Sequence, residues 1–157
     1  MGLKTPAEVV ILLRSPLLRV RTGLWLMPNA YLGHEADEAA RLLLEAVDLR
    51  LVWMKTLPGG TRFIGLTPER LLEVLDEILG QPGESDCVLV YNFDLFLAYL
   101  KQSERKTVWD GLFSALPHRT RGVLIVLPQT ARDLLPAPEQ LDLWEREQRL
   151  AGTVSVS

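Results

Sequence analysis

The chain has 157 residues, 48% of them hydrophobic and 24% charged, with a formal net charge of −3. One domain of about 100–200 residues accounts for the length, and the hydrophobic content excludes a mainly disordered chain. The acidity gives no global basic field for nucleic acid or anionic lipid. The single cysteine, Cys87, excludes an internal disulfide and a thiolate zinc site, and no apolar run nears the ~20 residues of a membrane span.

Thr5-Pro6, with Glu8 three residues after Thr5, predicts a helix over 5–13 capped by Thr5. Its apolar run stops at Arg14 without a small-residue cleavage site, so no signal peptide and a cytoplasmic location are expected. Residues 14–21 are basic and irregular. The run 23–27 (GLWLM) reads as a buried strand closed by Pro28-Asn29. Ala36, Ala39, Ala40, Leu43, Leu44 and Val47 recur at helical spacing and predict one helix over 34–47. Residues 50–54 and 61–65 predict second and third strands around the turn Pro58-Gly59-Gly60. Thr67-Pro68 starts a helix whose apolar face carries Leu71, Leu72, Leu75, Ile78 and Leu79, and Gly80 ends it. Residues 87–91 (CVLVY) form the next strand. An apolar helical segment to about Lys101 and a helix over about 104–116 follow. Residues 122–127 (GVLIVL) are a fully apolar strand. A polar helix over 138–150 and an alternating tail over 153–156 close the chain.

Strands that are apolar along their whole length are buried on both faces, as a helix-covered parallel sheet requires. The prediction is a single three-layer α/β domain over residues 1–157, with a central, mostly parallel sheet of about five strands. The 24–27 strand should lie inside it, beside 122–127 and near 87–91, all parallel. Ligands of such sheets sit beyond the carboxyl ends of the strands, so the informative residues follow Met27, Tyr91 and Leu127.

A phosphate-binding loop after the first strand would read G-x-x-x-x-G-K-[ST], its backbone N–H groups wrapping the phosphates and its lysine meeting their charge. Here that stretch is Pro28-Asn29-Ala30-Tyr31-Leu32-Gly33-His34-Glu35. Gly33 takes the second glycine position, but Pro28 offers no N–H. His34 stands in the lysine position, and Glu35, in the hydroxyl position, puts negative charge where the γ-phosphate and its metal would sit. The 87–91 strand ends where such proteins hold Mg²⁺ with a carboxylate, yet the next residue is Asn92, a weaker ligand for a hard cation. Asp94 lies two residues on. After the last apolar strand, Gln129 occupies the place of a polar sensor side chain.

The order of elements over about 7–130 resembles a P-loop NTPase of the AAA type. The stretch Thr67 to Gln129 is also similar to the corresponding part of BrxF proteins, small P-loop proteins of BREX phage-defence systems. That resemblance implies a role in a multi-protein anti-phage assembly. The degenerate nucleotide site comprises Pro28, Gly33, His34, Glu35, Asn92, Asp94 and Gln129, and it disfavours ATP, Mg²⁺ and hydrolysis. The expected function is therefore a non-catalytic module acting through other protein subunits. The 28–33 loop should fold over the strand ends, bury Leu32 and leave no nucleotide-sized cavity.

Two alternatives stand beside this reading. One is an active ATP-binding or hydrolysing enzyme in which Asp94 replaces the missing carboxylate. The other is a nucleic-acid-binding accessory. Arg14, Arg19, Arg21, Arg119 and Arg121 are the candidate partner-binding residues, and they would serve either a protein or a nucleic acid. Arg119 and Arg121 are expected on a solvated loop with His118, where substitutions cost within about 0.5 kcal/mol. Glu35 at a helix start also suits the positive end of the helix dipole. Trp25, Trp53, Trp109 and Trp144 are read as packing residues, and Cys87 as a core residue.

Overall fold

The computed structural model describes residues 4–15, 18–56, 65–81, 83, 85–114 and 121–153. Within them the three apolar runs form adjacent strands: β1 (Thr22–Met27), β3 (Cys87–Tyr91) and, between them, β4 (Gly122–Pro128). All three are parallel, with Trp25 beside Val126 and Leu89 beside Leu124. β2 (Glu45–Asp48) lies outside β3 and β5 (Leu150–Ala151) outside β1, giving the order β2-β3-β4-β1-β5, parallel throughout.

Helices cover both faces. On one face α1 (Pro6–Leu13) and α2 (Glu35–Arg41) pack Val9, Val10, Leu13 and Ala39 against Trp25, Met27, Leu89, Leu124 and Val126. α1 starts as expected, with Thr5 and Glu8 capping each other reciprocally. It then settles directly over Gly23, where a Cβ would come within 2.8 Å of Val9 and 3.1 Å of Leu13, so β1 needs glycine at this crossing. On the other face Leu24, Leu26, Val88, Val90, Val123, Ile125 and Leu127 meet α3 (Leu49–Thr56), α4 (Pro68–Gly80), α5 (Phe93–Tyr99), α6 (Gln102–Ser114) and α7 (Pro138–Arg146). A chain of edge-to-face rings, Phe93–Trp109–Trp144–Phe113, links α5, α6 and α7. The three-layer α/β architecture with five parallel strands is thus present.

Two expectations fail between residues 34 and 54. The helix predicted over 34–47 stops at Arg41. Leu43 adopts φ 59, and the N–H groups of Leu44 and Leu43 bond back to the carbonyls of Ala39 (2.8 Å) and Ala40 (3.2 Å). This is a Schellman stop with leucine where glycine usually sits. Residues 45–48 then form β2, and 50–54, expected as a strand, lie in α3. Trp53 is buried while Leu51 and Met54 face outward, a helical rather than an alternating pattern. At the other end, α7 stops at Arg146 instead of 150, and the last described strand is 150–151. The tail expected over 153–156 falls mostly on residues 154–156, which lie outside the described residues. So do residues 61–64 of the predicted third strand and the turn at 58–60.

Candidate functional site

The carboxyl ends of β1, β2, β3 and β4 surround an open cleft of about 490 Å³. Each element delivers its side chain by a different local device. After β1, Pro28 leads into a short 3-10 turn, Asn29–Tyr31, and Gly33 at φ 88 turns the chain into α2, whose first residue is Glu35. β2 ends on Asp48, and Arg50 follows within the first turn of α3. β3 ends on Tyr91. Asn92, left-handed at φ 64 and ψ 17, then reverses the backbone into α5 and places Asp94 in that helix's first turn.

Gly33, Glu35, Asn92 and Asp94 are therefore brought together as the sequence suggested. Pro28, His34 and Gln129 do not line the cleft. His34 points to solvent with Nδ1 3.7 Å from Asp37, and the Gln129 side chain donates to the Thr153 carbonyl at 3.2 Å. Asp48, Arg50 and Tyr91 are lining residues that sequence reasoning missed. Asp48 and Arg50 follow only from a strand at 45–48, which nothing in the hydrophobic periodicity announces, whereas Tyr91 is the last residue of the strand expected over 87–91.

The cleft is negatively biased. Burial pushes the Asp48 carboxyl up, but hydrogen bonds from Asn92 Nδ2 (2.9 Å) and Arg50 (N–H 3.0 Å, guanidinium 3.2 Å), with the Arg50 charge, outweigh it and hold the group below its ordinary value. The same pair uses up the Arg50 charge. Asp94 goes the other way: burial foremost, and then the negative charge of Glu35, push its carboxyl up. The Tyr91 phenol is also pushed up, by burial and then by Asp48 and Glu35. Among the described residues no ion pair reaches Glu35 or Asp94. A phosphate brought to about 4 Å from a carboxylate meets a repulsion on the order of 4 kcal/mol per unit charge at an effective dielectric constant of ~20. Among the described lining residues the one cation, Arg50, is paired with Asp48, so Glu35 and Asp94 set a field that opposes an incoming anion. Among the described residues no three His, Cys, Asp or Glu side chains converge in a metal-holding group.

The expected closure of the 28–33 loop is corrected. Leu32 packs on the α1–α2 core but stays half-buried, and Tyr31 is 40% exposed with its ring 6.4 Å from Trp25, so the loop lies beside the cleft and leaves it open.

The arginines are distributed otherwise than expected. Arg121 is not a solvated loop residue: it is 5% exposed, bonding Glu45 at 2.8 Å and the Ile78 carbonyl at 2.8 Å. Arg21 donates to the Leu13 carbonyl at 2.7 Å. Arg14 bridges Asp86 (2.8 Å) and the Leu43 carbonyl (2.7 Å), which ties α1 to the end of α2. Arg19 is exposed, while His118 and Arg119 lie outside the described residues. Arg149, expected on the solvated face of a helix over 138–150, lies beyond the end of α7 and is 1% exposed. Its guanidinium lies 4.5 Å from the Trp144 ring and 4.7 Å from the Phe113 ring, and it bonds the carbonyls of Thr22, Phe113 and Leu112 and the carboxylate of Glu147. Cys87 is a core thiol, pushed up to about 11 chiefly by burial. Among the described residues no helix is long and apolar enough to cross a membrane. No family model, curated protein or solved structure matches the chain.

Proposed function

We propose that this domain is a degenerate P-loop-like module of the AAA type that no longer handles phosphate and acts through protein contacts. The observation that carries the reading is the cleft itself. It stands where a parallel α/β sheet places its ligand, yet its lining carries Glu35 at the position of the phosphate loop's hydroxyl and Asn92 at that of the metal-holding carboxylate, with Asp94 adding a further carboxyl group. The strand order supports the relationship to AAA-type ATPases. The strand leading into the loop 28–34 and the strand ending before Asn92 flank the strand that ends before Gln129, the order in which such a domain arranges its phosphate-loop, metal-holding and sensor strands. The larger assembly we infer is a BREX-like anti-phage complex, and this rests on the resemblance of residues 67–129 to BrxF proteins.

Thermal unfolding with and without millimolar ATP–Mg²⁺ tests the loss of phosphate chemistry. No rise in Tm is expected, and no hydrolysis. A ligand at a hundred times its Kd would stabilise by about 2.7 kcal/mol, a rise of several degrees for a chain of this size. A rise that disappears in Asp94→Ala would establish the ATP-binding alternative instead. Purification of the tagged chain from its native host tests the second half: companion subunits should accompany it in stoichiometric amounts, and recovery of the chain alone would overturn the assembly role.

A further inference from the structure

We draw no further inference here: the strongest candidate, the groove of about 1240 Å³ between α6 and the 132–138 segment that leads into α7, satisfies Asp110 internally through Lys106 and Gln140, and nothing in the structure shows what covers it.

Discussion

At the amino-terminal edge of the sheet, Arg21, Arg121 and Arg149 each immediately precede a strand, and each guanidinium is turned inward onto carbonyl oxygens. At the carboxyl-terminal edge the charges are mostly carboxylates; Arg50, the one cation among the described lining residues, is paired with Asp48, and no ion pair among the described residues reaches Glu35 or Asp94. Parallel strands explain why the edges differ in kind. All strands start at one edge, so unpaired carbonyls of the incoming segments gather there, and arginine's planar fork can serve several at once. At the other edge the chain leaves the sheet into helices, and the loops are free to carry polar groups that no packing requirement satisfies. Charge at the first edge is therefore expected to maintain the fold, and at the second edge the carboxyl groups of Glu35 and Asp94, unlike the paired Asp48, to oppose it slightly.

The largest test is Arg149. Its removal empties a slot between two rings and orphans buried carbonyls, so Arg149→Ala should cost about 3–5 kcal/mol in urea unfolding. Arg149→Lys should recover only part, because an ammonium neither stacks between Phe113 and Trp144 nor spans Thr22 and Leu112 together. A loss within about 0.5 kcal/mol for both would erase the distinction between the edges. Arg121→Ala should cost less, about 2–3 kcal/mol, since its partner Glu45 is a third exposed and water can replace part of the bond. Arg19→Ala, at an exposed position, should stay within about 0.5 kcal/mol.

Periodicity reveals what is repeated and conceals what is local. β1, β3 and β4 were legible because burial on both faces forces unbroken apolar runs, and their parallel adjacency follows from the same fact. Caps were legible at Thr5 and Thr67, where a side chain carries the signal. The stop after Arg41 was not, because leucine stands at its left-handed position and prolongs a helical pattern that the backbone abandons. That single miss hid β2, put an expected strand in the place of α3, and removed Asp48 and Arg50 from view. Part of the cleft, Gly33, Glu35, Asn92 and Asp94, was legible because those residues directly follow or lie close to the ends of apolar strands. Arg121 and Arg149 were illegible for the opposite reason: their charge reads as surface, and only the tertiary carbonyls they meet make burial tolerable.

Leu43 supplies the next test. A left-handed leucine costs about 1–2 kcal/mol relative to its relaxed state, and its side chain is 74% exposed, so little packing is lost on truncation. Leu43→Gly should stabilise by about 1 kcal/mol, read as a higher urea midpoint at unchanged slope. A destabilisation would mean that the Leu43 side chain, and not only its carbonyl held by Arg14 and Ser85, supports this corner.

The smallest effect concerns the two aspartates of the cleft, and its sign separates them. Asp94 is pushed up on folding, chiefly by burial, so the native state holds this proton more tightly than the unfolded chain. Its favourable contribution is then complete below the unfolded value of about 3.9 and is lost as pH rises through the folded value. At neutral pH the ionised carboxylate is a small burden, and Asp94→Asn should raise Tm by about 1–2 °C there, with the gain vanishing in acid. Asp48 is held below its ordinary value, so its contribution is present above the unfolded value and is lost as pH falls through the folded one. Asp48→Asn should accordingly lower Tm at neutral pH, with a loss that shrinks in acid. Glu35→Gln adds a coupling test, because Glu35 contributes to the upward push on Asp94. In that background the gain from Asp94→Asn should be smaller than in the parent chain. Parallel pH profiles for the two aspartate variants, or an undiminished gain without Glu35, would show that these carboxylates do not oppose one another across the cleft.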